Sequence, residues 1–252
     1  MKKYLTWISL LFVLTALIIG CTKSTDSTGT AKLNIFLTDA PANYSSINVV
    51  FSEVSAHIDS DWVQIMHEPE DIDLLQYSNG ETFLLASAEI DPGHYTQIRL
   101  IIDSAYVTID GNKEVLTVPS GAKTGLKFGP QFTIEEGSTY NLVIDFDASK
   151  SVVKNDQGYS LKPHIRVIAQ ALSGSISGTV LNPSANPVAT ATKESDTFST
   201  FVDTLTGDFM LAFLQEGTYS VVIEDTNGLS FSTDDVVVTP GHDNGLGELT
   251  LE

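Results

Sequence analysis

From Lys32 onward apolar and polar residues alternate with a period of two, which marks half-buried strands rather than helices. Leu33, Ile35 and Leu37 share one face of the first segment, with Asn34, Phe36 and Thr38 on the other. Ile47, Val49 and Phe51 hold one face of the next, and then Val54, Ala56 and Ile58 take over the phase. A one-residue slip sends every side chain to the opposite face, so this shift predicts a β-bulge near Ser52 and Glu53. Further strand-like runs cover residues 62–66, 72–77, 82–86 and 94–102. Runs 106–109 and 114–118 flank Asp110-Gly111-Asn112-Lys113, a hairpin signal. Tyr140, Leu142, Ile144 and Phe146 alternate cleanly, and so do Leu161, Ile165, Val167 and Ala169. Pro163 has no N–H to donate, which puts that last segment at a sheet edge or a strand start. Beyond the first twenty residues, only 149–154 has the character of one or two helical turns.

Near residue 173 a Ser-Gly-Ser stretch interrupts the pattern and a second set of short strands begins. Runs 175–181, 188–192, 198–203, 209–213, 219–224, 236–238 and 249–251 make seven strands in under eighty residues. Many short strands separated by turns indicate sandwiches rather than α/β units. The expected architecture is all-β: two consecutive β-sandwich domains, residues 32–172 and 173–252, after a cleaved signal peptide.

The first twenty residues differ from everything after them. Lys2 and Lys3 precede an apolar run over residues 5–19, and Gly20 and Cys21 follow at once. This is the layout of a secretory signal, and the run is short of the ~20 apolar residues a spanning helix needs. Ile18-Ile19-Gly20-Cys21 resembles the lipobox of bacterial lipoproteins. The resemblance implies cleavage between Gly20 and Cys21 and acylation of the Cys21 thiol, with multiple fatty acyl chains such as palmitate holding the protein to a membrane. Residues 21–31, rich in Ser, Thr, Gly and Asp, read as a flexible tether. Thr22 follows the cysteine where some Gram-negative inner-membrane lipoproteins carry Asp, which favours the outer membrane or cell surface in a Gram-negative cell.

Composition narrows the partners. Cys21 is the only cysteine, so no disulfide can form and stability must come from core burial. Thirteen Lys and Arg stand against 32 Asp and Glu, a formal charge of −19. That balance opposes nucleic acid, whose binding rests on neutralised phosphates. A membrane reached through the lipid anchor, a glycan or another envelope protein remains as a partner.

Two family resemblances emerge from the motifs. Leu37-Thr38-Asp39-Ala40-Pro41, Trp62 with Asp73-Leu74-Leu75, Pro92-Gly93-His94-Tyr95-Thr96-Gln97-Ile98-Arg99-Leu100, Pro119-Ser120, Gly125-Leu126-Lys127, Asp145-Phe146-Asp147-Ala148 and Leu161-Lys162-Pro163 resemble a bacterial lipoprotein family known only as domain of unknown function 4382. The likeness covers roughly residues 31–170 and implies an envelope lipoprotein of no agreed activity. Gly178-Thr179-Val180, Asn186-Pro187-Val188, Thr206-Gly207-Asp208-Phe209-Met210-Leu211 and Gly217-Thr218-Tyr219-Ser220-Val221 resemble the carboxypeptidase regulatory-like domain, a transthyretin-like sandwich. That family is related in fold to starch-binding modules, although a shared fold transfers no function.

Candidate chemistry is sparse. His57, His67, His94, His164 and His242 are scattered singly, without metal-ligand spacing. Asp145 and Asp147 are the candidates for a Ca²⁺ site, needing a third acid and carbonyls to complete it. The plainer reading places them on the solvent side of a half-buried strand, and no cofactor is expected. Arg99 lies between Ile98 and Leu100 and requires a carboxylate, with Asp39, Asp145 or Asp147 as its expected partner in a structural ion pair. No nucleophile elbow, P-loop or dinucleotide fingerprint is present. The sequence therefore points to a non-enzymatic envelope lipoprotein with a binding or scaffolding role. The alternative is a carbohydrate-binding surface lipoprotein acting through its C-terminal sandwich.

Overall fold

The computed structural model describes residues 29–183 and 185–252. The signal, Gly20 and Cys21 lie outside the described residues. The chain is nearly all-β, as its alternation requires. The N-terminal part contains β1 (Ala31–Asp39), β2 (Ser46–Ile58), β3 (Asp61–Met66), β4 (Glu70–Asp73), β5 (Phe83–Ile90) and β6 (Gly93–Ile109). It continues with β7 (Asn112–Thr117), the short helix α1 (Ser120–Thr124), β8 (Leu126–Phe128), β9 (Phe132–Ile134) and β10 (Thr139–Phe146). Helix α2 (Ala148–Ser151), β11 (Val152–Asn155), β12 (Gly158–Leu161) and β13 (Ile165–Ala169) complete it.

These strands form two facing sheets. One has the order β13-β10-β1-β5, with β1 and β10 parallel. The other is built around the long β2–β6 pair and has nine strands, on the path β11-β12-β7-β6-β2-β3 with β4, β8 and β9 attached. The inward faces carry the alternating residues. Leu33, Ile35 and Leu37 of β1 and Leu142, Ile144 and Phe146 of β10 are all fully buried against Ile47, Val49 and Phe51 of β2. Register shifts fall on both sides of Phe51, leaving Ser52 without an opposite residue. β6 shifts with it: Ile98, Leu100 and Ile102 are buried, then Ala105 and Val107. The two longest strands therefore bend together, and Ser52 Oγ donates to Asp103 Oδ1 (3.0 Å) across the paired bulges.

The hairpin at Asp110-Gly111 closes β6 onto β7 with both residues in the left-handed region (φ 49° and 78°), as a two-residue turn matched to strand twist demands. The segment around Pro163 differs from its sequence pattern. Leu161 ends β12 in the large sheet, and Ile165 begins β13 at the edge of the small one, so Pro163 sits where the chain crosses between sheets. One alternating run thus serves two sheets, because a residue lacking an N–H tolerates the unpaired crossing.

Among its described residues the C-terminal part has seven strands: β14 (Ser173–Val180), β15 (Val188–Lys193), β16 (Asp196–Phe201), β17 (Asp208–Gln215), β18 (Gly217–Glu224), β19 (Ser230–Val238) and β20 (Asp243–Leu249). They form sheets of order β17-β14-β20 and β16-β15-β18-β19 around their own cluster of buried residues, among them Ile176, Phe209, Tyr219 and Ile223. Tyr219 is buried yet keeps its hydroxyl satisfied by donating to the Gln215 carbonyl (2.8 Å). Asn182 ties down the last residues, accepting from Leu251 N–H (3.1 Å) and donating to its carbonyl (3.3 Å). Among the described residues no helix is long and apolar enough to cross a membrane.

Candidate functional site

Three of the motif carboxylates meet at one end of the small sheet of the first sandwich, where the second sandwich packs. Parallel pairing of β1 with β10 sets Asp39 opposite Phe146, so the chain leaving each strand runs past the other. Asp39 Oδ1 accepts the N–H of Ala148 at the start of α2 (2.8 Å). Asp147 has left the strand and caps the same helix: its Oδ1 accepts from Lys150 N–H (3.1 Å) and Ser149 Oγ (2.6 Å). Its Oδ2 pairs with Lys150 Nζ (2.7 Å). Burial alone would raise the Asp147 pKa, but the hydrogen bonds from Lys150 and Ser149, with the Lys150 charge, outweigh it and hold the carboxyl below its usual range.

Asp145 faces Arg166, the residue beside it in register on β13, whose Nη2 and Nε both donate to Oδ2 (2.6 and 3.1 Å). Arg166 also crosses the junction. Its Nη1 donates to the Phe213 carbonyl of the second sandwich (3.0 Å), and its guanidinium lies 4.3 Å from the centre of the Phe198 ring. Lys150 Nζ reaches the Thr197 carbonyl (3.4 Å), and Asn79 accepts the Met210 N–H. These side-chain contacts join the two sandwiches, and the central one is a charge-assisted fork stacked on an aromatic ring.

Inside this junction lies a polar cavity of about 40 Å³, lined by Asp39, Asp145 and Arg166 from one side and by Thr200 from the other. Asp39 Oδ2 and Thr200 Oγ1 are buried there without a hydrogen-bond partner from the described residues. A bridging water needs roughly 10–15 Å³ and two to four polar neighbours, which this space provides. Asp39 is only 6 % exposed. Burial pushes its pKa well above the usual carboxylate value; the Ala148 N–H opposes that, and the charges of Asp145 and Asp147 add to it.

One expectation, the partner of Arg99, is corrected by the structure. Arg99 does not pair with Asp39, Asp145 or Asp147. It sits in the other sheet, directly opposite Ser55, and its Nη2 pairs with Glu53 (2.5 Å) while Nε donates to Ser55 Oγ (3.1 Å). The guanidinium also covers Trp62, 4.5 Å from the ring centre. The bulge at Ser52 is the physical reason, since it turns Glu53 and Ser55 together away from the face that holds Ile47, Val49 and Phe51, and Ser55 stands opposite Arg99. Asp145 and Asp147, the Ca²⁺ candidates, contact Arg166 and Lys150 respectively. Among the described residues no group of three or more His, Cys, Asp or Glu is arranged to hold a metal ion. His57 and His94 each contact a cross-strand threonine, Thr96 (2.8 Å) and Thr133 (3.3 Å).

Arg166 was missed in the sequence although it carried the signal that singled out Arg99: an arginine flanked by Ile165 and Val167. Also missed was an open cleft on the surface beside the junction. It has a volume of about 620 Å³, within the range of small-molecule sites. The β1–β2 connection supplies Asn43 and Tyr44, the β6–β7 hairpin Asp110, and the second sandwich Asn186, Phe201 and Asp203. An adjoining hollow of about 380 Å³ shares Asn43, Tyr44 and Phe201 and extends it toward Ser149 and Ser199. No local pattern marks these residues, because they lie on separate loops and strand ends brought together by domain packing.

No characterised protein matches the sequence. Among solved structures, the chain is similar to the TIE protein of Bacillus anthracis at 11 % identity, covering 89 % of this chain and 51 % of that one, with a TM-score of 0.24. It thus spans about half the length of that protein. A minor pilin of Streptococcus agalactiae is similar at 8 % identity, 87 % and 96 % coverage and a TM-score of 0.23. The fimbrial anchor protein of Porphyromonas gingivalis is similar at 12 % identity, 81 % and 82 % coverage and a TM-score of 0.19. The motif residues that converge on the junction fall in the segment recognised by a family model: residues 30–163, more than half of the chain, match Domain of unknown function (DUF4382), and the chain belongs to that family.

Proposed function

We propose that this protein is a lipid-anchored, extracytoplasmic binding or scaffolding protein of the cell envelope, without catalytic activity. The observation that carries the binding reading is the junction itself. Arg166, Lys150 and Asn79 lock two sandwiches together, and the locked pair frames a solvent-open cleft to which both contribute. The carboxylates with the most distinctive surroundings serve that joint: Asp145 holds Arg166, Asp147 caps α2, and Asp39 is buried against it. All three are engaged by structural contacts, to Arg166, to Lys150 with Ser149, and to the Ala148 N–H.

The anchoring reading rests on the residue pattern at Ile18-Ile19-Gly20-Cys21. It is tested by detergent phase partition of the protein expressed from its whole sequence, alongside Cys21→Ser. Partition of the wild type into detergent, with the C21S protein in the aqueous phase or retained as an uncleaved precursor, supports the anchor. A wild-type protein that stays aqueous refutes it.

A further inference from the structure

The chemistry of the cleft selects among occupants. Among the described residues its lining includes no Lys, Arg or His, while Asp110 and Asp203 stand at its rim in a chain of formal charge −19. An anionic ligand would meet repulsion and find no counter-charge there. The Asp203 carboxylate is fixed by the backbone, its Oδ1 accepting from Leu205 N–H (2.7 Å) and Thr206 N–H (3.0 Å). Those bonds hold its pKa below the usual range, so the rim stays charged.

What the cleft offers a ligand is mainly neutral. The side chains of Asn43, Asn186 and Tyr44 make no hydrogen bond to other described residues and are free to serve a guest. An amide both donates and accepts, and so does a phenol. A cation would use acceptors only, and an apolar molecule neither. A guest built from many hydroxyls, each a donor and an acceptor, uses both. Beside these groups stand the half-buried rings of Tyr44 and Phe201, apolar surfaces that suit the C–H faces of a sugar ring.

The walls are preset rather than formed on binding. Asp110 and Asn186 occupy the left-handed backbone region (φ 49° and 51°), and the Val202 N–H donates to the Pro187 carbonyl (3.0 Å), which holds Phe201 beside Asn186. Lining groups on fixed turns avoid much of the ordering cost that weakens loop-built sites.

From these observations we infer that the inter-sandwich cleft binds a short neutral oligosaccharide, with Asn43, Asn186 and Tyr44 supplying hydrogen bonds and Phe201 a stacking face. This rests on the binding reading above and names its ligand class and its place: the seam between the domains rather than the C-terminal sandwich alone.

The test uses the intact protein in detergent micelles, with wild type compared against Asn43→Asp and Asn186→Asp. Both substitutions keep shape and acceptor oxygen but replace the NH₂ donor with a negative charge, and Asp tolerates the left-handed backbone at 186. Circular dichroism melts check that each variant folds. The probes are short gluco-, manno-, xylo- and chito-oligosaccharides, an oligogalacturonate and a tri-lysine peptide, read by calorimetry and saturation-transfer NMR. The expected result is binding of at least one neutral oligosaccharide, weakened about tenfold or more by either variant. Absence of binding across the neutral panel, or binding that both variants leave unchanged, overturns the inference. So does tri-lysine binding that both variants strengthen, which would identify a cationic guest. Failure of the glycan panel with detergent partition intact removes the ligand assignment alone, whereas an aqueous wild-type protein refutes the anchored reading itself.

Discussion

Replacing Asp39 by asparagine should make the protein more stable at neutral pH, although it removes a charged residue from a family motif. In the folded state Asp39 keeps one oxygen on the Ala148 N–H and buries the other in the junction, with Asp145 and Asp147 nearby. Burial raises its folded pKa well above 3.8. Below that ordinary value the carboxyl is protonated in both folded and unfolded chains, and it costs nothing. As pH rises, the unfolded chain ionises first, and folding then has to work against that ionisation until the folded pKa is passed. Each unit of elevation removes about 1.4 kcal/mol of stability at pH values above the folded pKa. The amide of the D39N protein would keep the acceptor for Ala148, carry no charge and present an NH₂ to the side of the cavity where Thr200 stands. The D39N protein should therefore exceed the wild type at pH 8 by about 1.4 kcal/mol for each unit of that elevation, and the gain should shrink toward zero near pH 4. Urea unfolding followed by circular dichroism across that range measures it. Asp39→Ala, which also deletes the acceptor, should gain less than D39N by about 1–2 kcal/mol. A D39N protein less stable than wild type at pH 8, or a difference that does not change with pH, would refute the assignment of Asp39 as a carboxyl that burial destabilises.

Other substitutions probe the joint and the turns. Arg166→Met leaves Asp145 unpaired and the Phe213 carbonyl without its donor. It should cost about 1–3 kcal/mol and split a single calorimetric transition into two as the sandwiches uncouple; one unchanged transition would deny Arg166 its bridging role. Gly207→Ala places a Cβ 2.1 Å from the Val180 carbonyl oxygen at φ +84° and should cost about 3 kcal/mol or more in chemical denaturation. Gly111→Ala meets nothing within 4 Å at φ +78°, so only the backbone term of about 1–2 kcal/mol should appear. Equal losses at the two glycines would show that the Val180 contact does not matter.

What the sequence determined by itself is whatever depends on near neighbours in the chain. Alternation in Leu33-Ile35-Leu37 and Leu142-Ile144-Phe146 establishes which side chains are buried, because a strand turns successive residues to opposite faces whatever it pairs with. The phase change at Ser52 could be read as a bulge for the same reason, and Asp110-Gly111 as a hairpin because few residues adopt that backbone. The partners across space were a different matter. Arg99 and Arg166 look alike in the chain, each an arginine among apolar residues. Only the register of β6 on β2 delivers Glu53 to the first, and only the antiparallel pairing of β13 with β10 delivers Asp145 to the second. Asp39 meets Ala148 at a separation of 109 residues through a parallel pairing that no local pattern encodes. The cleft is more remote still, since Tyr44, Asp110 and Phe201 come from separate parts of the chain. Hydrophobic alternation sets which face of a strand is buried, but it carries no information about which charged ends will meet. That was decided by strand pairing and register in the folded sheets, which set a carboxylate beside each half-buried arginine.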